Sequence, residues 1–313
     1  MSALSGEPPK DRDVSAVLDH ATHTAYSDPR EYAGLVMALP VEPTEVSAVA
    51  RNVIVHYRAS GHELSEATRE EVNARWVERI LAADQDRHPW PLERPREATS
   101  RVQGCCRDHT LFCVATLRSH GVPARSQVGF AGYFVDGWHH DHVVVDAWLG
   151  GRWRRFDSEI EQPPAGLPTP MDIAPEPAGG SGFVTAAQVW TAYRQGDIDP
   201  DTYGVDPQMP VLRGPRFLFN EVILEVAHRF GDELLLWDGW GRIGAPGTPV
   251  SDDDARWLDG VAAPLLAADA GDLDAERWLL AAYRTDESLH PGSTVLQASP
   301  FGATPVHVAL QRT

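Results

Sequence analysis

Cys106 stands at the head of a run with helical spacing, and two strand-like runs carrying His142 and Asp157 follow it. A chain ordered this way has to set a helix terminus against a sheet, the arrangement that nucleophilic thiol chemistry needs. Between Cys106 and His120 the apolar positions Leu111, Val114, Ala115 and Leu117 recur at helical spacing. Gly121 and Pro123 supply the stop, and Arg118 and His120 fall in the last turn, where the helix dipole favours positive charge. Cys106 is therefore predicted in or just before the first turn. There the unpaired N–H groups and the positive helix end stabilise a thiolate, lowering its pKa below the free value of about 8.5. One of those N–H groups also offers half of an oxyanion hole. Asp108 suits the dipole but opposes the thiolate, while Cys105 and Cys113 read as buried apolar cysteines.

The partners lie downstream. Ser126 to Phe130 reads as a short strand, followed by a turn-like stretch through Gly132 and Gly137. The valine run in His142 to Trp148 favours a second strand. Gly150-Gly151 makes a hairpin turn into Arg152 to Asp157. Alternation puts His142, Val144 and Asp146 on one face, and the hairpin can bring Asp157 beside His142. The carboxylate would then fix the imidazole tautomer while the other ring nitrogen faces the thiol.

The stretch Gly104 to Asp157 resembles the core of the transglutaminase-like superfamily. The matching pieces are Gly104-Cys105-Cys106-Arg107-Asp108, then Leu117 through Gly121-Val122-Pro123-Ala124-Arg125, then His142 with Asp146 four residues on, then Gly151-Arg152-Trp153 through Asp157. Val144 stands where that pattern has a tryptophan, and Asp146 where it has a glutamate. The resemblance implies an α+β, papain-like core, with Cys106 as nucleophile, His142 as general acid/base and Asp157 as its orienter. It also implies an upstream group completing the oxyanion hole, for which Trp90 and Gln103 are candidates. Trp76 reads as core.

Trp138-His139-His140-Asp141-His142 invites a rival reading as a metal site, with His140, His142 and Cys106 as ligands. No C-x-x-C or H-E-x-x-H spacing supports it, so Trp138 and His140 read as groove-rim or solvated loop residues. No metal or organic cofactor is expected.

Composition bounds the rest. The chain has 313 residues, 42% of them hydrophobic, with 45 acidic against 27 basic side chains and a net charge of −18. Such a balance repels nucleic-acid phosphate and anionic lipid. Three cysteines, two of them adjacent, fit a reducing compartment without a disulfide framework. No stretch approaches the roughly 20 apolar residues of a membrane span, and no signal-like run opens the sequence, so a cytoplasmic protein is expected.

Residues 1–43 read as an N-terminal extension, loosely ordered over 1–30, and 44–162 as the catalytic core. Within the core, helices are expected over 44–57, capped by Thr44, and over 65–83, with a Pro-rich connector at 84–100. Residues 163–182 read as a Pro/Gly-rich linker or surface loop, and 183–313 as a mainly helical region packed on the core. That last region includes an apolar stripe from Phe219 to Phe230, a helix opened by Ser251 and interrupted by Pro264, a helix over 275–284 and a strand over 306–310. Trp237 to Gly241 reads as a packing knot.

The expected chemistry is cysteine-dependent acyl transfer through a thioester, on a small-molecule or peptide acyl donor with water or an amine as acceptor. The alternatives are a catalytically inactive copy of the fold used as a binding module, and the Cys/His metal site.

Overall fold

The computed structural model describes residues 19–302 and 304–311. Part of the predicted N-terminal extension, residues 1–18, lies outside them, while Tyr26 and Ser27 are buried in the body of the fold. Helix α1 (Pro43–Val53) opens where Glu42, not Thr44, acts as the cap, its carboxylate accepting the Thr44 N–H at 2.8 Å. Pro43 fills the first helical position, where a missing N–H costs nothing. Strand β1 (Ile54–His56) follows directly.

The helix predicted over 65–83 is two pieces, a 3-10 segment Glu66–Asn73 and helix α2 (Val77–Arg87). They part at Arg75 and Trp76. The buried Arg75 guanidinium turns aside to pair with Asp238, and Trp76 takes extended backbone at φ −101°, ψ 139°. Apolar spacing does not register such a break, because the residue that forces it is charged.

Strand β2 (Val102–Gly104) pairs parallel with β1 and leads straight into helix α3 (Cys106–Ser119). Next comes an antiparallel meander, β3 (Ala124–Val135), β4 (Trp138–Leu149) and β5 (Arg152–Phe156). Both central strands are longer than predicted. Gly132 lies inside β3, in the stretch where the register shifts between Ala131 and Val135, and the chain reverses only at Gly137. The second reversal falls at Gly150 and Gly151, whose φ of +61° and +79° are the two positive values a tight hairpin demands.

Strand β6 (Phe183–Thr185) pairs with the free side of β3, and helix α4 (Ala186–Gln195) continues from it. Strand β7 (Tyr203–Gly204) runs parallel to the head of β4 at His139 and His140. Helix α5 (Pro215–Arg229) lies across β3. One sheet face, with Val143, Val145 and Ala147, packs into the main core with α3 and α5; Val144 and Ala131 belong to a smaller core with Leu167, Ile173 and Phe183. The 163–182 stretch is thus a loop whose Leu167 and Ile173 side chains are buried against the sheet.

Strand β8 (Asp238–Gly239), helices α6 (Asp252–Asp269) and α7 (Leu273–Thr285), and strands β9 (Thr294–Gln297) and β10 (Val306–Ala309) complete the chain, with β8, β9 and β10 forming a small antiparallel sheet. Pro264 does not interrupt α6. The carbonyl it deprives of a donor belongs to Gly260, which is exposed and open to water. In the Trp237 to Gly241 knot, Trp240 is buried and donates its indole N–H to Leu289 O at 3.0 Å. No helix among the described residues is long and apolar enough to cross a membrane.

Candidate active site

The helix end that carries Cys106 is set by its two neighbours in the sequence motif. A Cβ on Gly104 would meet both Asp108 Oδ2 and Ile54 Cγ2 at 2.9 Å, so only glycine lets β2 enter the helix at this angle. Asp108 reaches back to accept the Cys105 N–H at 2.8 Å, closing the first turn. Cys106 is the first helical residue, and its own N–H has no acceptor among the described residues. One turn on, the Thr110 hydroxyl donates to Val143 O at 2.9 Å, tying this end of α3 to β4 next to His142.

His142 and Asp157 come together as the hairpin predicts. Val145 pairs with Phe156, and the chain leaving β5 delivers Asp157 to the imidazole, with Nε2 and Oδ2 2.8 Å apart. Tyr133 donates its hydroxyl to the same oxygen at 2.5 Å, and the Glu159 N–H donates to Oδ1 at 2.9 Å. Three donors on one fully buried carboxylate fit the ionised form, which in turn fixes the proton of His142 on Nε2. Nδ1 is left facing the Glu159 carboxylate, whose Oε2 is 4.0 Å away. No hydrogen bond joins Cys106 to His142.

The charges here differ from those the helix end alone would give. The expected lowering of the Cys106 pKa is overridden: its hydrogen bond with the Cys105 side chain, its burial and the negative Glu159 and Asp141 push the thiol well up. Burial works against charge on His142, but Asp157, Glu159 and Asp141 outweigh it and raise its pKa. Burial also works against Glu159 as an anion, yet His56, His109 and His142 hold its carboxyl far below the usual range.

The subsidiary candidates fare differently. Both N–H donors of the Gln103 amide are spent, on Ser65 O and Thr68 Oγ1 at 2.8 Å each, so the expected oxyanion role is corrected to one of anchoring the 3-10 segment. Trp90 packs on His88 and under the Arg94 guanidinium in the connector. Trp138 and His140 are strand residues of β4 rather than loop residues. Their rings meet edge to face, and His140 Nδ1 bonds Val205 O at 2.9 Å. That bond engages Nδ1 and fixes the ring on the strand, with Nε2 left free of hydrogen bonds among the described residues. Among the described residues no group of three or more His, Cys, Asp or Glu side chains is arranged to hold a metal.

Three residues were missed from sequence. Tyr133 sits in the stretch read as a turn, and Glu159 lies just beyond the last predicted strand. His109 follows Cys106 by three, on the same side of the helix, and that i, i+3 spacing was the one available signal.

The sequence profile of the transglutaminase-like superfamily matches residues 56–158, which span Cys106, His142 and Asp157. This part of the chain is similar to the transglutaminase-like core, and at the level of the family the match supports a cysteine-dependent enzyme. No curated protein matches the chain. A solved structure from Cytophaga hutchinsonii, provisionally described as a cysteine protease, is similar at 17% identity, covering 52% of this chain and 47% of that one. The chain thus spans under half the length of that protein, and a TM-score of 0.31 is too low to inform the chemistry.

Proposed function

We propose that the protein transfers acyl groups through a thioester on Cys106, with His142 as general acid/base and Asp157 as its orienter. The acyl donor is a small soluble or peptide amide or ester, and water or an amine is the acceptor. The observation that carries the reading is the pairing of His142 Nε2 with an Asp157 held by Tyr133, on a strand tied through Thr110 to the helix that starts at Cys106.

The direction of the Cys106 pKa shapes the mechanism. A thiol kept protonated at rest attacks with general-base help. The Sγ proton passes to Nδ1 as the S–C bond forms, and the Cys106 N–H is placed for the developing oxyanion. Nδ1 then returns the proton to the leaving group as the thioester appears. In the second half, water or amine gives a proton to Nδ1 while attacking, and the thiol leaves and is reprotonated.

The test is release of nitrophenol from p-nitrophenyl acetate. The wild type should turn it over, Cys106→Ala should lose turnover with an unchanged circular dichroism spectrum, and Cys105→Ala should keep most of it. Retained turnover in Cys106→Ala would overturn the mechanism. The neutral thiol is also what a silent copy used for binding would show; such a copy would release nitrophenol no faster than Cys106→Ala.

A further inference from the structure

Three histidines surround Glu159, and their ring nitrogens face different partners. His56 Nδ1 accepts two backbone N–H groups, from Arg58 at 3.1 Å and Ala59 at 3.0 Å, so this nitrogen is taken up by the chain next to it. His109 is the reverse. Its Nδ1 faces Cys105 O at 3.0 Å and Glu159 Oε1 at 2.9 Å, and its Nε2 faces Ile54 O at 3.2 Å. Both nitrogens meet acceptors alone, so both must carry protons, and the ring is a buried imidazolium paired with Glu159. That pair occupies one oxygen of the carboxylate. The other, Oε2, makes no hydrogen bond and stands 4.0 Å from His142 Nδ1, the nitrogen that Asp157 leaves unused. Glu159 is also more open than the His142–Asp157 pair: its side chain is 14% exposed, against 3% for His142 and none for Asp157.

We propose that Glu159 is a positioning residue of this site, pinned by a permanently charged His109 and setting the charge in which Cys106 and His142 exchange their proton. The inference rests on the acyl-transfer reading and adds two residues to it. The pair is a balanced device. The anion favours the protonated imidazole of His142 and disfavours the thiolate, while the His109 cation, one turn into the same helix, limits both effects. The other charged or titratable groups facing the centre are Tyr133 from β3, Asp141 on β4, Asp157 after β5, Cys105 at the head of α3, His56 on β1 with Tyr57 and Arg58 just after it, and Arg51 on α1. None of them is altered in the variants below.

The test is the pH dependence of Cys106 alkylation by iodoacetamide, read on its peptide by mass spectrometry in the full-length protein. Glu159→Gln should move the inflection down by about one pH unit, the scale of a single charge at this range. His109→Gln should move it up, and the double variant should bring it back near the wild-type position. A change in overall rate with no shift in the inflection, or shifts of the same sign in both single variants, would overturn the proposal. A measurement needing no variant guards against misfolding. In the ¹⁵N spectrum of the wild type, His109 should keep both ring nitrogens protonated at pH 8, and a neutral His109 there would also overturn it. If Cys106→Ala keeps its turnover, the acyl-transfer reading fails instead, whatever the inflections do.

Discussion

Arg107 and Arg118 on α3 are bound to fixed partners, whereas Cys106, next to Arg107, makes no hydrogen bond to His142. Arg118 pairs with Glu233 at 2.7 Å and with Ser27 at 2.9 Å, and Thr24 closes the other Glu233 oxygen at 2.7 Å. Arg107 bonds Asp108, the Glu233 carbonyl and the Arg75 carbonyl. This closed network stitches the C-terminal region and the segment before α1 onto the helix. At the helix head, by contrast, the Cys106 N–H, His142 Nδ1 and Glu159 Oε2 have no hydrogen bond among the described residues, the last two standing 4.0 Å apart. Burial is similar in the two places, so it does not separate them. What separates them is whether the polar atoms are already satisfied by hydrogen bonds.

The largest effect should come from loosening the open side at its base. Asp157→Asn keeps the shape but reverses the hydrogen bond that holds the His142 tautomer, and turnover of p-nitrophenyl acetate should fall about 10⁴-fold. A fall under tenfold would mean that His142 is not held through Asp157.

On the closed side, Glu233→Ala strands the Arg118 guanidinium in the interior and should cost about 3–5 kcal/mol in urea unfolding. The alkylation inflection of Cys106 should stay in place in that variant. A shifted inflection would mean that the two networks are coupled through α3.

Tyr133→Phe removes one donor from Asp157 and leaves the other two. A hydrogen bond to a charged group is worth about 1.5–3 kcal/mol, so turnover should drop roughly 10- to 100-fold. An unchanged rate would assign Tyr133 to packing.

The smallest effect concerns His228, the closed network's counterpart to His109. Its Nδ1 meets the Ser126 hydroxyl at 2.8 Å and its Nε2 donates to Leu234 O at 3.0 Å, so it is satisfied as a neutral ring, and burial pushes its pKa down to about 3. Between pH 6.5 and that value the unfolded chain binds a proton that the folded chain refuses. Stability should therefore fall with falling pH, by about 1.4 kcal/mol per unit from this group. Urea unfolding at pH 7 and pH 5 should show a smaller loss in His228→Gln than in the wild type; equal losses would contradict the assignment of a neutral ring.

The sequence carried the framework of the site because its motif residues have local jobs. Gly104 and Asp108 shape the first turn of α3, and Gly150-Gly151 sets the hairpin that delivers Asp157 to His142. Chemistry and local geometry were encoded at the same positions. Tyr133 and Glu159 were not legible, since each acts across the sheet or past a strand end and neither sits at a position that local patterning singles out. The break at Arg75 escaped for the same reason, its cause being a carboxylate at Asp238 far along the chain. The direction of the Cys106 pKa was misread because the helix end is visible in sequence, while the Cys105 side-chain hydrogen bond, the burial of the thiol and the nearby charges of Glu159 and Asp141 arise only in the fold.

The most direct test of the account is to find the acyl group on its sulfur. After brief reaction with p-nitrophenyl acetate and an acid quench, trypsin cuts after Arg101 and Arg107 and releases one peptide holding both adjacent cysteines. Fragmentation should place a single acetyl group on Cys106, and neutral hydroxylamine should remove it as it does a thioester. An acetyl group on Cys105, one that resists hydroxylamine, or continued turnover with no acetylated peptide would contradict the claim that Cys106 carries the chemistry.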